Sequence, residues 1–578
     1  MSLSAYTDER GITDEKQLSS LIVKRFEISK DYRSGFDDKF DKKYKYYRSY
    51  LKFDADYWYR SQLFMPYIFS IIESITPDFV SAIIGGDDFF SVKGNGAYRK
   101  PAENMQTLMK HQMDEKMQFF LKVLMWIKSI LIFGNGIMYT GWKKQIRKYT
   151  SREWITDPIL GMVGSVNVKR TENIYNDPFI DTVFIKNFYP QPYRETIKDM
   201  SWCIERAYVD WEYIQKLKSQ GIEGDIYKNL DKIKSTALPS GYKPVMNEMN
   251  TLVGISSSAR QDPINKPVEF LKYWRNDRIV ILANRSVIIR DTGNPFQYGE
   301  IPYTDAKDYP LDKEFYAISD IDLLMPLQDK VNDITNIRLD NLLQIVNRMF
   351  VAKKNSGINP DDFISRPSGV IWSEDINAVK PLIQPDVSSS AYNEEQEAYR
   401  AMQRASGAFE YAQGETPRRQ ETATGIIRLQ QAALKRFGYR IKLLQRTAFK
   451  DILTKIMRLN QQLLPMNYTI PDYENDKDIQ VNPWDISGKF GLTVTGSTNL
   501  AGVEERMIQL WQTARDDPYF NQFELRKRLL NVFDIPGSDN LLNQSSQLLG
   551  NVQNFMPRGV SQGNPVDKIK EALSGQTV

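Results

Sequence analysis

The sequence predicts an α+β protein that is mainly helical. Long segments with apolar residues at three- and four-residue spacing lie near the start, at 319–349 and at 421–464, and this spacing is typical of helices. From about 140 to 310, short runs rich in β-branched and aromatic residues predict strands instead. The chain has 578 residues and 41% hydrophobic content, so we expect more than one domain and a sizeable buried core.

The composition limits the chemistry that the chain can perform. The net charge is only +4, which is typical of an ordinary, slightly basic soluble protein. One cysteine, Cys203, excludes an internal disulfide framework and a cysteine-built zinc site, and one histidine, His111, leaves little room for histidine catalysis. The sequence contains no phosphate-binding loop, no HExxH and no GxSxG motif. We therefore expect no enzymatic activity, no metal ion and no cofactor.

The N-terminal region is predicted to be helical. Residues 15–60 alternate acidic and basic residues among many tyrosines, which favours a solvated helix with ion pairs or a lateral contact with a neighbouring subunit. Residues 62–84 predict a buried helix interrupted by Pro77. Residues 119–139 are apolar, but two internal lysines and a terminal Gly-Asn-Gly favour a buried core helix over a membrane span.

The middle region is predicted to contain a sheet. The run VEFLKYWRNDRIVILANRSVIIRD has turn signals at Asn276-Asp277 and at Asn284-Arg285, which predict a three-stranded meander. Residues 223–265 are polar and poor in aromatics, so we expect a loop excursion there. Further along, MNYTIPDYE and ISGKFGLTVTGS predict strands that close this β-rich domain.

Two helices with a short β-prone insertion follow the β-rich region. Ser319 is a predicted N-cap for a helix of about 30 residues. Residues 349–388 are β-prone and contain several prolines. A second helix is predicted from residue 389 to about Tyr411, with glutamates in its first turns, where the helix dipole favours them.

A basic helix is predicted after the turn-rich segment GETPRRQETATG. Residues 425–464 contain nine basic side chains and one acidic side chain. Their spacing predicts either a solvated face or a surface that meets an acidic neighbour or a phosphate backbone. Five of the basic residues form one stripe along the helix: Arg428, Lys435, Lys442, Arg446 and Lys450.

The order of these elements resembles the portal protein, or head-to-tail connector, of tailed bacteriophages. The resemblance extends from about residue 58 to 535 and includes WYRSQLFMPYIFSIIESITPDF, VFIKNFYPQPYRETIKDMSWCIERAYV and RRQETATGIIRLQQAALKRFG. It implies a wing, stem, clip and crown architecture in a ring oligomer. The implied parts are the wing (1–315 and 424–502), stem helix 1 (316–348), the clip (349–388), stem helix 2 (389–411), the tunnel loop (412–423), and the crown with the C-terminal tail (503–578).

The resemblance also implies the function. A portal forms a dodecameric ring at one capsid vertex, through which double-stranded viral DNA is packaged and ejected. The implied partners are other copies of the chain, viral DNA, the terminase large subunit, adaptor or head-completion and tail proteins, and the major capsid and scaffolding proteins, with no membrane. The implied location is the virion, with the host cytoplasm during assembly. The alternatives are a non-portal structural or scaffold protein of the virion and a carboxylate-dependent hydrolase.

The candidate DNA contacts follow from these parts. In the tunnel loop, Arg418, Arg419 and Gln420 are expected to meet phosphates without reading bases, and Thr422 or Thr424 is expected to cap the next helix. The alternative is that the two arginines pair with nearby glutamates. Basic candidates of the stem and clip are Lys330, Arg338, Arg348, Lys353 and Lys354. The basic residues of the stem alternate with aspartates of stem helix 1, so we expect a channel of mixed charge. The five aspartates are Asp320, Asp322, Asp329, Asp333 and Asp340.

Overall fold

A computed structural model describes most of the chain up to residue 494 and two short segments after it. The described residues are 14–85, 89–157, 161–219, 226–233, 245–255, 267–347, 349–353, 379–382, 385, 389–407, 438–471, 478–494, 510–514 and 525–526. The chain divides into two compact units, Met1–Thr498 and Asn499–Val578. All helices and strands named below belong to the first unit.

The described part of the first unit is a mixed α+β structure. Its α-helices are α1 (Glu15–Tyr47), α2 (Tyr67–Ile84), α3 (Arg99–His111), α4 (Phe119–Phe133), α5 (Trp211–Ser219), α6 (Leu230–Ile233), α7 (Val245–Leu252), α8 (Asp320–Val346), α9 (Ser389–Ser406) and α10 (Lys450–Leu463). Its strands are β1 (Phe90–Lys93), β2 (Asn135–Asp157), β3 (Gly161–Val183), β4 (Phe188–Pro190), β5 (Trp202–Asp210), β6 (Pro267–Arg275), β7 (Arg278–Ala283), β8 (Val287–Gly293), β9 (Tyr303–Lys307), β10 (Phe350–Ala352), β11 (Val379–Pro381), β12 (Tyr468–Ile470), β13 (Ile479–Val481) and β14 (Gly491–Val494).

Helix α1 is less solvated than its charge pattern predicts. Leu18, Ile22 and Phe26 are buried and pack in one apolar cluster with residues of β5 to β8. Arg33 is also buried, with its guanidinium 4.1 Å from the centre of the Tyr189 ring. The prediction of a solvated helix is therefore wrong for this face, because contacts with a distant sheet are not visible in a local charge pattern.

Helices α2 and α4 belong to the main core of the unit. Helix α2 begins at Tyr67, five residues later than the predicted segment, and holds Pro77 within it. Helix α4 ends at Phe133, and Gly134 caps it with a φ of 92°, in the left-handed region, so the predicted glycine stop is confirmed. By length and composition α2 is the one described helix that could cross a membrane, but half of its apolar window is buried inside the protein, as is usual for a core helix.

The predicted meander is confirmed as part of an antiparallel five-stranded sheet with the order β4-β5-β6-β7-β8. The turn between β7 and β8 places Asn284 and Arg285 at φ 44° and 58°, a conformation that suits asparagine. Part of the predicted excursion at 223–265 is instead helical, in α6 and α7. Met249 and Val253 of this region are buried, so the prediction of a loop there is wrong.

Strands β2 and β3 form a hairpin that is much longer than the short strands predicted for this region. Each strand has 23 residues, whereas β9 pairs with β2 only from Asn135 to Tyr139. The strands predicted near the C-terminal end of the unit do not close the five-stranded sheet. Strand β14 pairs with β1, and β12 pairs with β13, so that prediction is wrong. Strands β1 and β14 lie about 400 residues apart in the sequence, so no local sequence pattern indicates that they pair.

The two helices that flank the predicted clip are both present. Helix α8 starts with a capping box in which the side chains of Ser319 and Asp322 each accept a hydrogen bond from the other's backbone N–H, so the predicted cap is confirmed. Helix α9 ends at Ser406, and Gly407 follows with a φ of 79°. The stretch 438–444 is helical and leads through a π-helical turn, Gln445–Phe449, into α10.

Candidate functional site

The candidate stem is the pair α8 and α9, which contact each other along their lengths. Lys330 Nζ of α8 lies 2.7 Å from Glu394 Oε2 of α9, and Arg338 forms a salt bridge with Glu395. The hydrogen bond from Lys330 lowers the pKa of Glu394. The Lys330 pair is exposed and contributes little to stability, whereas the Arg338 pair is more buried. Two predicted DNA contacts thus have acidic partners within the subunit.

A second side of α8 is occupied by the segment that leads into α2 and includes the first two residues of that helix. Four polar side chains of α8 at four-residue spacing hydrogen-bond to the backbone of this segment, which we call the strap (residues 61–68). Residues four apart lie on one helix face, so one row of side chains can follow an extended chain. This row, which we call the polar ladder, consists of Gln328, Asn332, Asn336 and Asp340.

Most aspartates of α8 interact within the subunit. Asp322 Oδ2 is 2.6 Å from Lys43 Nζ, Asp329 accepts a hydrogen bond from the hydroxyl of Tyr46, and Asp340 accepts one from the strap. Asp320 is fully buried. These four aspartates are buried or bonded within the subunit, and Asp333 is the exposed one of the five. The channel of mixed charge stays a prediction.

Asp320 belongs to a buried ionic cluster at the start of α8. Arg440 forms salt bridges with both Asp308 and Asp320, and its guanidinium lies 4.5 Å from the centre of the Tyr309 ring. Burial alone would lower the pKa of Arg440, but the two carboxylates raise it. Burial, together with the nearby charge of Asp320, raises the pKa of Asp308 well above its ordinary value. This cluster joins the helical segment after the predicted tunnel loop to the first turn of α8.

The far end of α8 and the small β-insertion expose apolar side chains. Ile337, Leu342, Leu343 and Val346 are 52–70% exposed, and Met349, Val351 and Leu382 of the insertion are 43–61% exposed. Strands β10 and β11 form only a three-residue pairing. A two-stranded ladder this short is marginal alone, and exposed apolar surface is common at interaction sites.

The other predicted site residues divide into two groups. Lys353 is exposed after β10. The tunnel-loop residues Arg418, Arg419, Gln420 and Thr422, with Arg348 and Lys354, lie outside the described residues, so their roles stay predictions. Of the basic stripe, Lys442, Arg446 and Lys450 are exposed, and Arg428 and Lys435 lie outside the described residues.

Sequence reasoning missed a cavity beside this basic stripe. It has a volume of about 570 Å³ and is lined by Arg446, Lys450, Lys307 and Arg458, among others. The π-helical turn at Gln445–Phe449 forms part of its wall, and such turns often occur at functional sites. Within the described residues no group of three or more acidic, histidine or cysteine side chains could hold a metal ion.

Comparison with known proteins identifies the family. The family model described as "Phage SU10 portal protein" matches residues 18–157 and 149–516, which is most of the chain. No curated protein matches. A chain of the solved structure "Neck of empty GTA particle computed with C6 symmetry" aligns at 11% identity over 80% of this chain and 90% of that chain, with a TM-score of 0.33, too low to argue from. On the strength of the family match, the chain belongs to the phage SU10 portal protein family.

Proposed function

We propose that this chain forms the portal ring of a tailed phage, the channel through which double-stranded DNA enters and leaves the capsid. Family membership over most of the chain carries this proposal. The proposed ring is dodecameric and sits at one capsid vertex. It docks the terminase during packaging and adaptor or tail proteins afterwards.

The exposed apolar surface at the end of α8 supports assembly into a ring. Leu342 and Val346 lie one helical turn apart and are 54% and 70% exposed in the isolated subunit. Burying such side chains is favourable by about 1.5–3 kcal/mol each. A closed ring of identical subunits buries the same surface in every copy. We therefore assign this surface to the contact between neighbouring stems.

The proposed parts keep their predicted bounds. Residues 316–348 and 389–411 form the stem, 349–388 the clip, 412–423 the tunnel loop, and 503–578 the crown and tail. The clip is the proposed surface for terminase and adaptor proteins. Arg418 and Arg419 are the proposed phosphate contacts at the narrowest point of the channel.

A packaging assay tests the proposal. Procapsids assembled with and without this chain are supplied with terminase, ATP and linear DNA, and nuclease-protected DNA is measured. We expect protected DNA only when the chain is present. Equal protection in both samples would rule out the portal function.

A further inference from the structure

The hairpin β2/β3 extends far beyond the strands that anchor it. We call residues 143–176 the arm. Strand β9 contacts β2 only up to Tyr139, whereas β2 and β3 stay paired as far as Asp157 and Gly161. At about 3.3 Å per residue the arm is roughly 45 Å long. No arm residue whose burial is described is buried. A ladder of two strands with both faces exposed is marginal alone, so the arm is suited to docking.

The arm accounts for the net positive charge of the chain. It contains seven basic and three acidic residues, which gives +4, and the whole chain also has a net charge of +4. The remaining residues contain 69 of each sign. A positive charge concentrated on one projecting element points to an anionic partner.

Four cations of the arm are available for such a partner. Lys143, Lys144, Arg147 and Lys169 are exposed, and none forms an ion pair with a carboxylate in the described part of the chain. Lys143 and Arg147 each lie 5.8 Å from the centre of a tyrosine ring, of Tyr175 and Tyr149 respectively. These ring contacts do not neutralise the positive charges. The register partner of Arg147 is Glu172, although the two side chains form no ion pair.

The cations lie on both faces of the arm. Arg147 and Tyr149 are two residues apart and share one face, and the register places Arg170 opposite Tyr149. Thr150 lies on the other face, and its register partner is Lys169. A flat acidic protein surface contacts only one face of such a ribbon. The major groove of duplex DNA is about 12 Å wide, admits a two-stranded ribbon, and presents a phosphate row along each side.

We propose that the arm binds duplex DNA by lying in the major groove and contacting phosphates on both sides. This contact is separate from the proposed channel and does not depend on ring formation. Because phosphate contacts carry no sequence information, the binding is independent of sequence and weakens steeply as salt increases.

The test uses a small covalently closed circular duplex, because a circle cannot thread through a preassembled ring. Binding of full-length protein is measured by fluorescence anisotropy from 50 to 300 mM salt. The arm variant carries Lys143→Gln, Lys144→Gln, Arg147→Gln and Lys169→Gln. The control carries the same number of changes at exposed lysines elsewhere: Lys24→Gln, Lys52→Gln, Lys93→Gln and Lys489→Gln.

We expect the arm variant to lose at least about tenfold in affinity at 100 mM salt and the slope of log K against log salt to fall by about 3–4. The control should bind like the unmodified protein. Equal binding by the two variants, or no binding of the circle by the unmodified protein, would overturn the proposal. So would equally strong binding of polyglutamate, or of vesicles containing phosphatidylserine, since neither has a groove. Matching thermal unfolding of the two variants shows that the arm variant is folded.

Discussion

Asn336 and Leu63 exchange two hydrogen bonds, as neighbouring residues of a β-sheet do. The Leu63 N–H donates to Asn336 Oδ1 at 2.8 Å, and Asn336 Nδ2 donates to the Leu63 carbonyl at 3.0 Å. One turn earlier on α8, Asn332 Oδ1 accepts from the Met65 N–H at 3.0 Å. The polar ladder thus satisfies the backbone of the strap and fixes it to the proposed stem helix.

Asn332→Ala is expected to loosen the strap. It leaves the Met65 N–H without its acceptor, which costs about 1–3 kcal/mol where water cannot replace it. Hydrogen exchange of peptides covering 61–68 should become at least about fivefold faster, because the local opening free energy falls. Gln344→Ala, at an exposed position of α8, should leave this exchange unchanged. Equal protection in both variants would mean that the ladder does not hold the strap.

Arg440→Met is expected to be strongly destabilising. It leaves Asp308 and Asp320 buried without a positive partner, and breaking a buried ion pair from one side costs about 3–5 kcal/mol. Thermal unfolding should therefore begin several degrees lower. The control is Arg458→Met, which removes an exposed pair with Glu300 and should change the midpoint little. Similar midpoints for both variants would contradict the role of the buried cluster.

Asp451 provides a test that depends on pH. Burial raises the pKa of Asp451. Its contacts with Lys455, Lys198 and Thr304 lower the pKa by more than burial raises it, so its pKa in the folded protein is below the ordinary value. Stability from such a group is present above the unfolded pKa of about 3.9 and is lost as the pH falls through the folded pKa. Asp451→Asn should lower the unfolding midpoint at pH 7, and the difference from the unmodified protein should be smaller at pH 3, because part of the stabilisation is lost as the pH falls below the unfolded pKa. A gap of equal size at both pH values would show that the carboxylate charge is not what stabilises this site.

The apolar surface at the end of α8 is expected to control assembly. A variant with Leu342→Asp and Val346→Asp places charges in the proposed contact between stems, and unpaired buried charges are costly. Native mass spectrometry should show at least a tenfold smaller ring fraction. The control is Met466→Asp. Met466 is 65% exposed and lies outside this surface, so the control variant should form rings normally. Rings of normal abundance in the double variant would place the subunit contact elsewhere.

The tunnel-loop prediction is tested by a charge reversal. A variant with Arg418→Glu and Arg419→Glu should assemble but package DNA several-fold more slowly, because negative charges would then face the phosphates. The control is Lys52→Glu with Lys93→Glu. Packaging at normal speed by an assembled tunnel-loop variant would remove these arginines from the DNA path.

Local signals in the sequence predicted local structure well. Ser319 marked the start of α8, Gly134 marked the end of α4, and the two Asn-containing turns marked the meander. Each of these features depends on a few adjacent residues, whose backbone preferences are visible in the sequence.

Features that depend on distant contacts could not be predicted in this way. The periodic pattern of α8 identified a helix. It did not indicate that Asn332 and Asn336 bind the strap, which lies about 270 residues earlier in the chain. The charges of Asp320 and Asp329 suggested a channel lining, whereas Arg440 and Tyr46 are their partners. The length of the arm was also not predicted. Strands that are exposed on both faces lack the usual alternation of apolar and polar residues.

The most direct test of the portal proposal is negative-stain imaging of the purified chain combined with mass measurement. We expect rings of about twelve subunits with a central hole wide enough for a duplex of about 20 Å. A uniform monomer or dimer at every salt and protein concentration, also in the presence of procapsids, would contradict it.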